Sequence, residues 1–390
     1  MQFRWHEDQE RFRQDVRAFI DSELPADWDD QPPDEGYSEV RHTVALQFQK
    51  AMADRQWLTM AWPEENGGLG ASYWQQMVLN EEMGYRRAPS SNMGVMWVGP
   101  ALMLYGTDDQ KSQHLSAIAE AEDDAWWCTL YSEPGAGSDL ASLQTRAVED
   151  GDDYVINGQK IWTSGAHRAD WGWLAARTDP DAPKHRGMTM FLLDMHTPGV
   201  TVQPLINMGD GHSFNEVFFE DVRIPKANVV GEVNRGWYHL AVSLDFERSS
   251  IAGFAGSRRT VEELAALAAD DPQHVRQSPG VRLELADRFT EIAVGTNLAY
   301  RIVDMQTRDV IANHEASAAK LYSSELAQRI AATGMKLAGL YGGLRDDAHA
   351  PLGGRLAHSY LSNVSATIGG GTSEIQRNII ATRGLGLPRQ

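Results

Sequence analysis

Along the chain the spacing of apolar residues changes character twice. Near the start, Phe12, Val16, Phe19 and Ile20 fall on one stripe of a helix. Segments 38–55, 73–86 and 108–121 carry the same period, and the stretch WPEENGGLGASYW (62–74) breaks it with a proline and three glycines. From about 125 to 230, short runs rich in β-branched and aromatic residues take over: 126–132, 154–164, 172–178, 188–195, 200–205 and 215–224. Asn157-Gly158, flanked by Val155, Ile156, Lys160 and Ile161, predicts a hairpin turn. From about 236 the helical period returns over 236–269, 280–310, 315–341 and 372–382, with breaks at 270–280 and 342–354. Long helices with short connections predict an antiparallel bundle. The expected class is a multidomain α+β protein: an N-terminal α-helical domain (1–122), a middle β-barrel domain (123–232) and a C-terminal four-helix bundle (233–390).

Composition narrows the function. The chain has 390 residues, enough for about two to three domains. Lys plus Arg number 35 and Asp plus Glu 54, a formal charge of −19, so bulk electrostatics disfavours nucleic acid as a partner. Cys128 is the single cysteine, which excludes an intramolecular disulfide and a cysteine metal cluster; no metal site is expected. The first residues lack the apolar core of a signal peptide, and no window approaches 18 apolar residues. The expectation is a cytoplasmic protein without a membrane span.

Four stretches carry candidate chemistry. YSEPGAGSDLAS (131–142) follows a strand-like run and places Gly135, Gly137 and Ser138 in a tight turn. Such a turn either exposes backbone N–H groups to a phosphate or flavin edge or is only a glycine-rich turn. It lacks the GxGxxG spacing and the βαβ unit of a dinucleotide fold. In NGQKIWTSGAHRADW (157–171), Trp162 offers a flat face beside the hydroxyls of Thr163 and Ser164, unless it is simply a core tryptophan. Around SLDFERSSIAGF (243–254), Leu240, Leu244, Ile251 and Phe254 lie on one helical stripe with Glu247 at its gap. A carboxylate aimed at an apolar interior is a candidate general base; one at the stripe's edge reaches water. Finally, ATIGGGTSEIQRNIIATRGLG (366–386) reads as an N-capped helix after three glycines, a place where anions also bind.

Together these stretches resemble the acyl-CoA dehydrogenase family of flavoenzymes over nearly the whole chain. The family's PxEYGGLG-like loop matches Pro63 to Gly70 and its TEPGAGSD signature matches Ser132 to Asp139. Its NGxKxWxTNG region matches Asn157 to Gly165, its EVFFDDVRVPxxNxLG segment Glu216 to Gly231, and its GTSEIQR motif Gly371 to Arg377. The resemblance implies FAD, an acyl-CoA substrate, desaturation between the α and β carbons, and electron-transfer flavoprotein as acceptor. It implies that Tyr131 and Ser132 meet the flavin edge through backbone groups, with Gly137 and Ser138 beside them. Trp162 would flank the isoalloxazine and Ser164 would bond near N5. Ser138, Asp245 and Arg248 would contact the CoA arm. Gly342, Gly343, Thr372 and Glu374 would lie along the FAD of a neighbouring subunit, and Gly370 on the substrate side.

The chain departs from the family in two places. Many members carry the catalytic glutamate just before the Gly-Thr of the C-terminal motif, where this chain has Gly370. A subset carries it on the bundle helix in a DxER stretch, which Asp245-Phe246-Glu247-Arg248 matches, so Glu247 is the expected base. Family homotetramers also carry an Arg-x-x-Phe-Gly stretch whose Arg meets a neighbour's FAD pyrophosphate. Here 270–280 has no Phe-Gly pair, and Arg276 does not match the spacing. That pattern resembles actinobacterial sterol side-chain enzymes built from two kinds of subunit, leaving a homotetramer and a two-plus-two heterotetramer open. Two other functions fit the same fold: a flavin oxidase or monooxygenase, and a subunit that only completes a partner's FAD site.

Overall fold

The computed structural model describes residues 5–28, 38–90, 92–243, 249–270, 279–345 and 347–388. Its helices are α1 (Glu7–Glu23), α2 (Glu39–Asp54), α3 (Tyr73–Tyr85), α4 (Gly99–Tyr105), α5 (Asp108–Ala119) and α6 (Gly236–Ser243). They continue as α7 (Ile251–Asp270), α8 (Pro279–Gln306), α9 (Asn313–Ala338), α10 (Arg355–Ser362) and α11 (Ser373–Ile379). The chain groups into two compact units. One gathers α1, α3 and α7–α11; the other gathers α2, α4–α6 and all the strands. Local chemistry sets several helix starts. Ser72 opens α3 and Thr107 opens α5 with reciprocal side-chain and backbone bonds to Gln75 and Gln110, satisfying N–H groups that the first turn leaves unpaired.

The sheet contains β1 (Trp127–Leu130), β2 (Arg146–Asp150), β3 (Asp153–Lys160), β4 (Trp171–Arg177), β5 (Met188–Asp194), β6 (Val200–Leu205), β7 (Phe214–Pro225) and β8 (Val229–Val230). Its order is β6-β7-β3-β2-β4-β5-β8, with β1 parallel to β4. Alternation sorts the side chains between two cores. Trp173 and Ala175 of β4, with Met188, Met190 and Leu192 of β5, pack beneath Leu102 of α4, Ile118 of α5 and Leu240 of α6. Leu174, Ala176, Phe191 and Leu193 point the other way, onto Ile156, Val217, Phe219, Val222 and Ile224 of β3 and β7. Strands distant in the order share this second core, so the sheet curls over itself as the barrel expectation requires.

Two expectations fail here. Asn157-Gly158 is not a hairpin turn: it lies inside β3, where the register with β7 slips between Ile156 and Gly158. The turn instead falls at Gly151, between β2 and β3. Gly158 sits at φ +151° and a Cβ there would stand 2.7 Å from Thr145 Cα, so the glycine serves a bulge and a close approach. Asn157 spans that bulge by bonding Asp221 twice: its Nδ2 donates to Asp221 Oδ1 and its Oδ1 accepts from Asp221 N–H. Likewise 236–269 is not one helix. Ser249 and Ser250 lie outside both α6 and α7, and Ser250 has φ +57°. Leu240 is buried in the sheet unit, whereas Ile251 and Phe254 belong to the bundle core. The stripe that placed Glu247 at an apolar gap therefore does not exist as one helix face.

The bundle unit centres on Phe254 and Leu264 of α7, Ile292 and Ile302 of α8, and Leu326 and Ile330 of α9. No helix among the described residues is long and apolar enough to cross a membrane.

One buried base in the sheet unit makes stability depend on acid. His114 on α5 is 5% exposed, edge-on to Trp127 and Trp171, and burial pushes its pKa down to about 4. An unfolded histidine titrates near 6.5. Below that pH the unfolded chain takes up a proton that the native state refuses, so stability falls from about pH 6.5 to about 4, by about 3 kcal/mol. His114→Phe should flatten this part of the melting-temperature profile; a wild-type slope in the variant would rule His114 out as its source.

Candidate active site

The sheet's topology creates the candidate region of the sheet unit. β1 and β2 share one edge of β4, β1 along Trp171–Leu174 and β2 at Arg177. Residues 131–145 leave the sheet between them. Glu133 and Ala136 exchange backbone bonds at 3.0 Å around Pro134-Gly135, making a tight turn that holds Gly135 of the expected residues, with Gly137 and Ser138 just after it. Downstream, Arg177 donates to the carbonyls of Ala141 and Leu143 and ties down the loop's far end.

Beneath the turn lies an ion pair that sequence reasoning did not single out. Lys160 is 0% exposed; its Nζ donates to Glu133 Oε1 at 2.8 Å and to the Tyr131 carbonyl at 3.0 Å. Glu133 also accepts from the backbone N–H groups of Gln144 (2.5 Å) and Thr145 (2.9 Å). Burial pushes Lys160 down to about 8, opposed by Glu133's charge, and it remains protonated at neutral pH. Burial pushes Glu133 up, but Lys160's charge and hydrogen bond, with those from Gln144 and Thr145, outweigh it and hold the carboxyl below its usual value. Ile161 N–H donates to the Ser132 carbonyl at 2.9 Å, so both ends of this contact bind the Tyr131–Ser132 segment to the end of β3. The sequence signal was parity: Tyr154, Ile156 and Lys160 are the inward positions of β3.

After β3 the chain turns sharply. Trp162 has φ +61° and is 58% exposed, so it is not a core tryptophan. A non-glycine residue in that backbone region costs about 1–2 kcal/mol, which surrounding structure must hold in place. Thr163 exchanges backbone bonds with Asn215 at 3.0 Å, and Gly165 N–H donates to the Ser213 carbonyl at 3.0 Å. Thr163 Oγ1 is buried without a partner among the described residues, beside the half-buried Ser164. An exposed indole face next to an unsatisfied hydroxyl fits the flat, polar-rimmed ring of a flavin. Tyr131 lies half-buried against the core of this unit, and Ser132 beside it is likewise half-buried. Gly137 and Ser138 follow the turn, with Ser138 exposed and Gly137 without an obstructed Cβ direction.

The bundle unit carries its own candidate region. Thr372 caps α11, its Oγ1 accepting from Ile375 N–H at 3.2 Å. Lys320 Nζ donates to the carbonyls of Ala366 (3.2 Å) and Gly371 (2.7 Å), and Gln376 Nε2 donates to that of Gly370 (3.1 Å). Gly370 has φ +65°, where a side chain is strained, yet a Cβ there would meet only Lys320 Cε at 3.9 Å. Thr372 and Glu374 line an open cleft of about 590 Å³; Gly342 and Gly343, in the turn after α9, do not. Two arginines of that cleft are engaged, Arg377 with Glu325 at 2.5 Å and Arg329 with Glu291 at 2.9 Å. Glu247, Asp245, Arg248 and Arg276 lie outside the described residues.

Three family models cover the chain in order: acyl-CoA dehydrogenase N-terminal domain over residues 6–122, middle domain over 128–222 and C-terminal domain over 234–385. The acyl-CoA dehydrogenase FadE26 of Mycobacterium tuberculosis is 38% identical over 344 residues, 85% of each chain. Among solved structures, the Tcur3481-Tcur3483 steroid ACAD matches with a TM-score of 0.88 at 34% identity, covering 100% of both chains. The ChsE4-ChsE5 complex from Mycobacterium tuberculosis matches equally, TM-score 0.88 at 34% identity over 100% of both chains. The α, β, α order, the turn at Glu133–Ala136, the exposed Trp162 and these matches agree: the chain belongs to the FAD-dependent acyl-CoA dehydrogenase family.

Proposed function

We propose that the chain dehydrogenates a bulky acyl-CoA thioester, branched or ring-bearing as in a steroid side chain, with Glu247 as the base. The carrying observation is the space at Gly369 and Gly370. A Cβ at Gly369 would meet only the Ser365 carbonyl at 3.8 Å, and one at Gly370 only Lys320 Cε. Family members that fill these positions with an aromatic and a glutamate lose that room, and a short linear chain would leave it unfilled at a cost in dispersion contacts. The steroid ACAD among the similar structures supports the same substrate class. Bound FAD supplies the two-electron acceptor. The protein's own contribution is to hold the ring between Trp162, Ser164 and the Tyr131–Ser132 backbone, to seat the CoA arm near Ser138, Asp245 and Arg248, and to remove the α proton at Glu247. Electrons then leave to electron-transfer flavoprotein. kcat/KM over a thioester panel tests the reading: steroid side-chain esters should exceed butyryl- and octanoyl-CoA, and an optimum at a short linear chain would overturn it.

The chain acts, in this proposal, with a second and different subunit of its family. Support comes from the two-component names of the similar structures, the missing Arg-x-x-Phe-Gly stretch, and the engaged arginines of the cleft. Expressed alone it should hold FAD substoichiometrically and recover it with the partner; a homotetramer carrying one FAD per chain would end the idea.

A further inference from the structure

Behind the Trp162–Gly165 turn, Asn215, His212 and His167 form a polar cluster that the proposed reaction does not use. Asn215 begins the buried part of β7 and is 0% exposed. Its Nδ2 lies 3.0 Å from the Thr163 carbonyl and 3.1 Å from His167 Nδ1; its Oδ1 lies 2.8 Å from His212 Nε2. The two imidazoles stack at 4.1 Å with 21° between their planes.

Hydrogen-bond chemistry gives this cluster a direction. An amide has two N–H donors on one side and an acceptor on the other, whereas a backbone carbonyl only accepts. The Thr163 carbonyl therefore requires the amide nitrogen to face it; the reversed amide would set two acceptors 3.0 Å apart. With the nitrogen so placed, Oδ1 faces His212, whose Nε2 must carry a proton. The second amide hydrogen faces His167 Nδ1, which must be unprotonated. Thr163's carbonyl then takes two bonds, from Asn215 N–H and from its side chain. Each donor of the buried amide is used, so losing one leaves a buried group unsatisfied and shifts its neighbours.

We infer that Asn215, oriented by the Thr163 carbonyl and locked by His212, is a positioning residue that clamps the left-handed turn presenting Trp162 and Ser164 to the flavin. This rests on the reading of Trp162 and Ser164 as flavin-facing. The FAD-bound protein is compared as wild type, His212→Phe, His212→Gln and Asn215→Asp. Phenylalanine keeps a stacked ring without the donor; glutamine restores a donor; aspartate replaces the amide's two donors by an acceptor. Three readouts are followed: amide hydrogen exchange at 163–165, the visible spectrum and midpoint potential of the bound flavin, and kcat against KM. His212→Phe and Asn215→Asp should speed exchange, shift the flavin band and potential, and lower kcat by roughly 10–100-fold with KM little changed, since small misplacements near the reacting centre act on turnover. His212→Gln should recover all three. Wild-type exchange and spectrum in His212→Phe, or no recovery in His212→Gln, would overturn the clamp. If His212→Phe does not fold, Asn215→Asp against His212→Gln decides. Ser164→Ala separates the underlying reading: altered flavin properties there beside a silent His212→Phe sink the clamp alone. Silence in Ser164→Ala, with exchange altered in His212→Phe, sinks the flavin-facing reading.

Discussion

Replacing Glu247 by Gln should leave FAD bound and lower turnover by about 10²–10⁴-fold, the range lost when a positioned general base is removed. The loss should sit in kcat, because the isosteric amide keeps size and polarity while removing proton affinity. The expectation rests on the Asp245–Arg248 stretch and on the alternative position being closed. At Gly370, φ +65° disfavours any side chain by about 1–2 kcal/mol, and no carboxylate is encoded there. Flavin reduction by substrate at a near wild-type rate in Glu247→Gln would reject Glu247 as the base.

Breaking the Lys160–Glu133 pair should be the costliest single change in the sheet unit. Lys160→Ala strands a buried carboxylate that keeps its two backbone donors but loses its counter-charge, a change worth about 3–5 kcal/mol. Replacing both partners together, Lys160→Met with Glu133→Gln, should cost markedly less, because no charge is left buried alone. The double variant should still weaken FAD binding, since Met cannot hold the Tyr131 carbonyl that Lys160 grips at 3.0 Å. Urea unfolding of the wild type, Lys160→Met, Glu133→Gln and the double variant forms the cycle, with Lys160→Ala measured beside it. A double variant no more stable than Lys160→Ala would show that the lysine acts through packing rather than through its charge.

The fold was largely legible because it is written in periods. Helices expected over 38–55, 73–86 and 108–121 run over Glu39–Asp54, Tyr73–Tyr85 and Asp108–Ala119, since Ser38, Ser72 and Thr107 cap them locally. β2 was missed for the opposite reason: Arg146–Asp150 is short, carries three charged residues and buries only Ala147, so it has no alternation to read. β8 is only Val229–Val230, too short to have a period. The misplaced hairpin shows the limit of local turn chemistry. Asn-Gly satisfies a turn and a bulge equally, and Thr145's approach to Gly158, a contact from another part of the chain, decides between them.

By itself the sequence determined the order of α, β and α segments, the family through its spaced motifs, the single cysteine Cys128 and the absence of a carboxylate at Gly370. These are one-dimensional properties: composition, period and spacing. Tertiary structure alone decided that Trp162 stands exposed in a left-handed turn, that Lys160 is fully buried against Glu133, and that Asn215 grips the Thr163 carbonyl. It also decided that Leu240 and Phe254 serve different cores, which removed the helical stripe once drawn through Glu247. The physical reason is common to all of them. Burial and hydrogen-bond satisfaction are set by which distant segments meet, and a residue's own neighbours in the chain do not specify that meeting.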